Sequence, residues 1–212
     1  MQKAPIEWNF TKKLINIYGI ASAMEYLHYQ SIIHRDLKPT NILEDEHFYP
    51  KVCDFGSSKF RPADSNYLAH SIENISPFFI APEILDDNIY NYKCDVFSFA
   101  MTIYNMLTCN QPDFGSKNSF NYISGILKGK RPIIDSKVPL AYKSLIESCW
   151  VNNPDDRPDF NQIVEDLKNN REYITDEVDE KEFNEYIEYI ESNGEKVFIK
   201  EEPKRTQIPQ MP

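Results

Sequence analysis

The chain has 212 residues, of which 41% are hydrophobic and 26% are charged. This balance is typical of a soluble globular protein with one sizeable core, and it excludes a wholly disordered or fibrous chain. The net charge of −10 argues against nucleic acid as the main partner, because phosphate binding requires a basic surface. No apolar run reaches the ~18 residues of a membrane span, and the first residues lack the apolar segment of a signal peptide. We therefore expect a cytoplasmic protein with neither a membrane nor a nucleic acid partner.

The four cysteines stand far apart in the sequence and form no C-x-x-C motif. Zinc sites and the disulfide frameworks of small domains usually show closely spaced cysteine pairs. We therefore predict reduced, partly buried thiols, with neither a structural zinc ion nor a disulfide framework.

The first predicted element is an amphipathic helix at residues 11–30, where apolar residues recur at helical spacing. Two short apolar runs follow, at 42–43 and 51–53, on either side of the polar segment EDEHFYP. This pattern predicts a small β-hairpin. Residues 57–80 have no clean period and few large aliphatic side chains, which indicates a long loop, and loops of this length are usually functional.

Helices dominate the rest of the predicted domain. Residues 95–108 are apolar on nearly every face, which predicts a buried central helix with Asp95 as its N-cap. Apolar stripes predict three further helices, at residues 119–129, 139–150 and 160–170. The sequence therefore predicts a mainly α domain with one small β-hairpin, ending near residue 170.

Residues 171–212 form a more acidic segment, with 12 acidic and 6 basic side chains. This composition favours a solvated, partly disordered tail, and on that interpretation deleting residues 172–212 leaves the domain folded. The alternative is a short amphipathic helix, because Phe183, Ile187 and Ile190 fall on one helical face. Such a helix would dock on the rest of the chain or on a partner of the acidic tail.

Chemically active side chains are concentrated around the predicted hairpin. Asp36 lies in a turn after the first helix, Asn41 precedes the first strand and Asp54 follows the second. Because a hairpin brings its two ends together, we expect these three residues at one cleft. A carboxylate and a carboxamide oxygen suit Mg²⁺, and a second carboxylate can accept a hydroxyl proton. Lys38 adds positive charge for a phosphoryl group, which completes the requirements of phosphoryl transfer.

Three motifs in this region occur together and in order. HRDLKPTN, at residues 34–41, fits the pattern H-R-D-L-x-x-x-N at every fixed position, and DFG and APE follow at 54–56 and 81–83. On these motifs, residues 8–170 resemble the C-terminal lobe of a eukaryotic protein kinase. The segment CWVNNPDDRPDFNQIVEDL is similar to the tyrosine-kinase-like group, whose members mostly phosphorylate serine and threonine. The resemblance implies a protein-kinase-like fold, transfer of the γ-phosphate of ATP to a protein substrate, and ATP and Mg²⁺ as cofactors.

The resemblance also implies the roles of single residues in the cleft. Asp36 resembles the base that orients the acceptor hydroxyl, and Lys38 resembles the lysine that reaches the γ-phosphate. Asn41 and Asp54 match the two magnesium-binding positions. Leu43 would lie under the adenine ring.

Other residues have structural counterparts in the family. His34 and Phe55 resemble the pair that stacks in a spine resting on Asp95. Glu83 and Arg157 resemble the family's buried ion pair. These five residues are therefore expected to support the site rather than to react.

The family's mode of regulation also has counterparts in this sequence. Arg35 resembles the arginine that binds a phosphate on the activation loop, and Ser76 falls where related kinases carry a threonine that bridges Asp36 and Lys38. Three residues of the loop are candidates to carry the phosphate: Ser65, Tyr67 and Ser71. The alternative is that these residues only keep an exposed loop polar.

The N-terminal lobe of a kinase has signatures that this chain lacks, since no G-x-G occurs among its six glycines. Three hypotheses follow. The chain is the C-terminal lobe of a serine/threonine kinase and is inactive in isolation, or it is a non-catalytic binding or scaffold module, or another chain completes it. Tyrosine kinase activity also remains open at this point.

Overall fold

The computed structural model of the chain describes residues 8–60, 68–69, 77–87, 89–112 and 119–198. The elements in these ranges are, in chain order, α1 (Phe10–Tyr29), β1 (Ile32–Ile33), β2 (Ile42–Glu44), β3 (Pro50–Val52), β4 (Lys59–Phe60), β5 (Leu68–Ala69), α2 (Pro82–Asp87), β6 (Ile89–Tyr90), α3 (Tyr92–Thr108), α4 (Ser119–Leu127), α5 (Leu140–Cys149), α6 (Phe160–Asn169) and α7 (Glu180–Phe198). The predicted mainly α fold is confirmed. Within the described ranges, no helix combines the length and apolar character needed to cross a bilayer.

The strands form three short antiparallel pairs, β1 with β4, β2 with β3, and β5 with β6. The β2–β3 pair is the predicted hairpin, with Ile42 opposite Val52 and Leu43 opposite Lys51. Strands β4 and β5 lie within the segment that the sequence predicted as an unstructured loop. A strand of two residues is too short to show an alternating pattern, so its sequence carries no strand signal.

Helix α3 forms the centre of the hydrophobic core, as predicted. Its side chains Phe97, Phe99 and Ile103 are 0% exposed. The helix contacts α1 and α5, and the Phe99 ring lies edge-on to the Phe160 ring of α6 at 5.4 Å. The elements that carry the candidate site are therefore arranged around one buried helix.

The N-terminus of α3 differs from the prediction. The N-cap is Asn91, whose side chain accepts a hydrogen bond from the backbone N–H of Lys93. Asp95 lies inside the first turn, and its carboxylate accepts hydrogen bonds from the backbone N–H groups of His34 and Arg35. The prediction of Asp95 as the N-cap was therefore wrong, because this carboxylate binds another segment instead of its own helix.

The acidic segment after residue 170 contains a docked helix. In α7, Phe183 and Tyr186 are each 1% exposed, and the Phe183 ring meets the Tyr18 ring of α1 edge-on at 5.6 Å. The favoured interpretation as a solvated extension is thus wrong for this helix, because its apolar face finds a complementary surface on α1. We propose that the folded unit extends through α7; residues 199–212 lie outside the described part.

Two polar contacts at one end of this interface complement the apolar packing. The Lys12 ammonium lies 2.5 Å from the Glu182 carboxylate. Just before α7, the backbone N–H of Asp179 donates to the Thr11 hydroxyl at 2.8 Å. The start of α7 is therefore fixed to the first turn of α1.

The four cysteines are free thiols of unequal accessibility. Burial raises the pKa of the Cys149 thiol to about 12 and raises that of Cys94 well above its usual value, whereas Cys109 is exposed. Because the thiolate is the reactive form, we expect N-ethylmaleimide to modify Cys109 quickly in the folded chain. Cys94 and Cys149 should react only after unfolding in urea, as measured by peptide mass spectrometry. Equal reaction rates of Cys109 and Cys149 in the folded chain would contradict this burial.

Candidate active site

The segment between α1 and β2 brings three of the predicted site residues into direct contact. The Lys38 ammonium lies 2.7 Å from Oδ2 of Asp36. The Asn41 side-chain amide donates to the same oxygen at 2.9 Å and to the Asp36 backbone carbonyl at 2.7 Å. A 3₁₀ turn at Pro39–Asn41 reverses the chain and returns Asn41 to Asp36. Two donors therefore fix Oδ2 of Asp36, and Oδ1 remains the oxygen available to accept a proton.

The backbone of this segment is fixed to the core by Asp95 of α3. The Asp95 carboxylate is fully buried and accepts from the N–H groups of His34 and Arg35, each at 2.8 Å, while Nε2 of His28 lies 2.9 Å from it. Arg35 adopts a left-handed backbone conformation with φ of 70°, which is unfavourable for a residue with a side chain. A buried carboxylate bound by these three nitrogen groups offsets this strain and holds the turn before Asp36 in place.

The His34 side chain connects this segment to the other end of the hairpin. Its Nδ1 accepts from the Asp36 N–H at 3.3 Å, so Nε2 carries the proton and donates to the Cys53 carbonyl at 3.1 Å. Its ring also contacts the Phe55 ring at 5.3 Å. One fully buried histidine therefore sets the spacing between Asp36 and the residue that precedes Asp54.

Asp54 lies two residues after β3, next to Cys53, which pairs with Asn41. The Cys53 N–H donates to the Asn41 carbonyl at 2.9 Å, which places Asp54 one residue beyond this pair. Asp54 has φ of 63° and an exposed side chain, whose Oδ1 accepts from the Gly56 N–H at 3.4 Å. The hairpin thus puts Asn41 and Asp54 at neighbouring strand ends, with the Asp54 carboxylate facing solvent.

A comparison with protein-family models shows the family of this chain. A model described as protein tyrosine and serine/threonine kinase matches residues 1–167. The chain belongs to the protein kinase family. The match covers most of the 212 residues and includes the three motifs at 34–41, 54–56 and 81–83.

Curated kinases with similar sequences come from distant sources. A serine/threonine-protein kinase/receptor of Acanthamoeba polyphaga mimivirus, R831, is 35% identical over 183 residues, which cover 85% of this chain and 11% of the relative. A LIM domain-containing serine/threonine-protein kinase of Dictyostelium discoideum is 35% identical over 157 residues, which cover 74% of this chain and 16% of the relative. The kinase CTR1 of Arabidopsis thaliana is 36% identical over 160 residues, which cover 74% of this chain and 19% of the relative. The chain spans less than a fifth of each of these relatives.

Protein kinases generally use ATP and Mg²⁺, and two side chains of this kinase chain fit the metal. The Asn41 amide nitrogen is already bound to Asp36, which leaves its oxygen Oδ1 for a cation. Asp54 offers an exposed carboxylate. Mg²⁺ prefers a few protein oxygens together with water and phosphate oxygens, so this pair of donors is suitable.

Two exposed apolar side chains lie near these polar groups in the chain. Leu43 of β2 is 58% exposed and Phe55 is 49% exposed. Large apolar side chains at such exposure often mark a surface that another group covers. Leu43 lies two residues after Asn41, at the position where the family resemblance places the adenine ring, and Phe55 directly follows Asp54.

The two residues expected to form an ion pair lie far apart in sequence but are in contact in the structure. Arg157 Nη1 and Nη2 donate to the two Glu83 carboxylate oxygens at 2.7 and 2.8 Å. The remaining N–H groups of Arg157 donate to the backbone carbonyls of Val151, Lys93 and Asn152 at 2.9–3.1 Å. All five donors of this buried guanidinium are therefore satisfied.

Arg35 places its charged group in a partly apolar environment. Its guanidinium lies 4.6 Å from the centre of the Tyr90 ring and the residue is 8% exposed. In the part of the chain that the structure describes, Nε and Nη1 have no hydrogen-bond partner. The candidate phosphate carriers Ser65, Tyr67 and Ser71 lie outside the described residues, and so does Ser76.

Two contributors to this site were missed by sequence analysis. His28 at the end of α1 binds Asp95, and Tyr90 of β6 supports the Arg35 guanidinium. Neither belongs to a motif. His28 lies on a helix and Tyr90 is aromatic, and ordinary core residues share these features. The sequence therefore contained no signal that distinguishes a supporting role in the site from core packing.

Proposed function

We propose that this chain is the catalytic lobe of a serine/threonine protein kinase, which transfers the γ-phosphate of ATP to a protein hydroxyl. The contact of Asp36 with Lys38 and Asn41 carries the proposal, because it joins a base, a cation and a metal-binding amide within one turn. The relatives described above bear the names of serine/threonine-protein kinases, which supports this acceptor type. Lys38 followed by Pro-Thr is also typical of that type.

In this mechanism Asp36 binds the acceptor hydroxyl and takes its proton through Oδ1, while Lys38 and Asn41 hold Oδ2. The Lys38 ammonium also counters negative charge on the phosphoryl group in transfer. Asn41 and Asp54 would hold Mg²⁺, which neutralises phosphate charge when it is bound. Leu43 would support the adenine ring. His34 and Asp95 keep Asp36 and Asp54 at a fixed separation.

We also propose that the 212-residue chain shows little phosphoryl transfer by itself. Its sequence contains no G-x-G phosphate loop, and the 58% exposed Leu43 offers only one side of an adenine site. A nucleotide that is covered on one face loses much of the burial that normally holds a ligand in its pocket.

A fusion of the chain to the N-terminal lobe of a related serine/threonine kinase tests this function. We expect the fusion to phosphorylate a serine peptide in preference to its tyrosine counterpart. Asp36→Asn should lower kcat by about 10²–10⁴, since it removes the proton acceptor, and Asp54→Asn should abolish activity by removing a magnesium ligand. Asp176→Asn makes the same charge change at an exposed position outside the site and should leave kcat unchanged.

The outcomes of this fusion experiment separate the assignments. An active fusion that tolerates Asp36→Asn would refute Asp36 as the base. Activity on the tyrosine peptide alone would refute the serine/threonine assignment. A folded fusion that binds ATP without any transfer would favour a non-catalytic binding module.

We further propose that a phosphate on Ser65, Tyr67 or Ser71 activates the kinase by binding Arg35. Burial lowers the pKa of Arg35, and two of its guanidinium nitrogens have no partner among the described residues, so an anion would stabilise its charge. We expect mass spectrometry of the active fusion to find a phosphate within residues 57–80, and phosphatase treatment to lower its activity severalfold. Full activity without any phosphate in that segment would contradict the switch.

A further inference from the structure

A cavity of about 790 Å³ lies between α1, the β2–β3 hairpin, α6 and α7. Its volume is in the range of small-molecule binding sites. Asp36, Lys38, Asn41 and Asp54 do not line it, so it is separate from the candidate active site. The wall formed by α7 exists because the acidic segment docks on α1.

Aromatic side chains form one part of the cavity wall. Five tyrosines line it: Tyr18, Tyr26, Tyr49, Tyr186 and Tyr189. The Tyr49 ring centre lies 4.5 Å from that of Tyr186 and 5.4 Å from that of Tyr189, so the three rings pack together, with Tyr186 buried and Tyr49 and Tyr189 accessible. The faces of tyrosine rings attract cations, and their area accommodates apolar groups.

The charged side chains around the cavity leave an excess of negative charge. Both of its lysines have acidic neighbours, since Lys51 lies 3.5 Å from Asp45 and Lys168 pairs with Glu191. Glu25 on α1 and Glu165 on α6 form no ion pair within the described ranges, and Lys168, which already pairs with Glu191, is a basic group that also acts on Glu165. The carboxylate of Glu165 accepts only the Asn169 amide there.

These two carboxylates lie close enough to influence each other. Burial raises the pKa of Glu25, and the negative charge of Glu165 raises it further. A positive group between them would replace this repulsion with two attractions. An apolar ligand would leave both carboxylates unpaired, and a bare metal ion would leave the tyrosine wall uncovered.

We propose that this cavity binds a small organic cation with an apolar body and an ammonium or guanidinium head. The body lies against the rings of Tyr49 and Tyr189, behind which Tyr186 is buried, and the head lies between Glu25 and Glu165. This site does not depend on kinase activity, since none of the catalytic side chains forms part of it.

Three probes of the full chain separate the two parts of this recognition. 2-Phenylethylamine carries both the ring and the ammonium, 2-phenylethanol carries the ring alone, and ethylamine carries the ammonium alone. We expect 2-phenylethylamine to bind with a Kd about tenfold below that of either fragment, as measured by NMR titration. Its shift changes should fall on the tyrosines of the cavity. Equal affinities for the amine and the alcohol would overturn the proposal.

Charge-removing variants then locate the head of the ligand. Glu165→Gln should raise the Kd of 2-phenylethylamine about fivefold and leave that of 2-phenylethanol unchanged, because only the amine is charged. Glu188→Gln removes the same charge from an exposed position on α7 outside the cavity and should leave both values unchanged. Glu25→Gln provides a second variant on another helix. Amine binding that neither Glu25→Gln nor Glu165→Gln weakens would refute the site, provided that both variants keep the NMR spectrum of the folded chain.

Discussion

Arg157→Met is expected to lower the free energy of unfolding by about 3–5 kcal/mol. The substitution keeps much of the side-chain volume but leaves the Glu83 carboxylate, only 12% exposed, without its counter-charge. It also removes the donors to the Val151, Lys93 and Asn152 carbonyls. Urea denaturation followed by circular dichroism measures the change.

An exposed ion pair provides the control for this measurement. Lys181 and Glu185 on α7 lie 3.4 Å apart with 86% and 62% of their side chains exposed. Lys181→Met should therefore cost less than about 1 kcal/mol, because solvent already screens this pair. If Arg157→Met were as mild as Lys181→Met, the Glu83–Arg157 pair would not anchor the segment around Glu83 to the core.

A second substitution distinguishes the ion pair from the rest of the Arg157 contacts. Glu83→Gln removes the carboxylate charge, and in the double variant with Arg157→Met no unpaired charge is left. We expect the double variant to lose less stability than the sum of the two single variants, since each single change strands a partner. Strict additivity would indicate that Arg157 acts through the backbone carbonyls alone.

The sequence predicted those elements whose own residues carry a periodic pattern. The β2–β3 hairpin and helices α1, α3, α5 and α6 lie where the apolar spacing placed them. The prediction failed at the start of α3, because Asn91 and Asp95 are equally suitable capping residues. Only the folded backbone of His34 and Arg35, whose N–H groups bind Asp95, decides between them. The choice depends on contacts about 60 residues apart in the chain.

The candidate site was predictable for a different reason. Local pattern placed Asp36, Asn41 and Asp54 near one end of the hairpin, but the separate roles of these residues came from the kinase motifs. The supporting contacts of His28 and Tyr90 involve no motif and depend on the packing of α1 and β6 around the central helix. Such positions need a three-dimensional structure.

Helix α7 shows the same limit of sequence analysis, because its burial depends on the surface of α1 against which it packs. The stripe of apolar residues on α7 was visible in the sequence, but whether it would be buried depended on α1. Gly19, in the middle of α1, costs stability as a helix residue, and a Cβ atom there would lie 2.6 Å from Pro50 Cγ and also meet the Tyr186 hydroxyl. A glycine that looked unremarkable in sequence is thus the position where the hairpin and α7 approach α1.

Deleting residues 172–212 is therefore expected to destabilise the lobe, contrary to the expectation from composition. The deletion uncovers Tyr18 and the other α1 residues under Phe183 and Tyr186, and it removes the Lys12–Glu182 ion pair. Burial of an aromatic side chain of this kind contributes on the order of 3 kcal/mol, and part of the gain is offset by the entropy of ordering the helix. We expect the melting temperature to fall by about 10 °C, as measured by calorimetry.

A point substitution shows whether the packing of α7, rather than chain length, causes this loss. Phe183→Ala should lower the unfolding free energy by about 3–5 kcal/mol, because the ring is 1% exposed and its removal leaves a cavity against Tyr18. Asn184→Ala, next to it on the same helix but exposed, should change stability by less than about 0.5 kcal/mol. If the truncated chain and Phe183→Ala both melted like the intact chain, α7 would not belong to the folded unit, and the boundary near residue 170 would hold. If Phe183→Ala were destabilised but the truncated chain were not, docking of α7 would give no net stabilisation. The free-energy cost of ordering α7 would then equal or exceed the stabilisation that burial of Phe183 contributes.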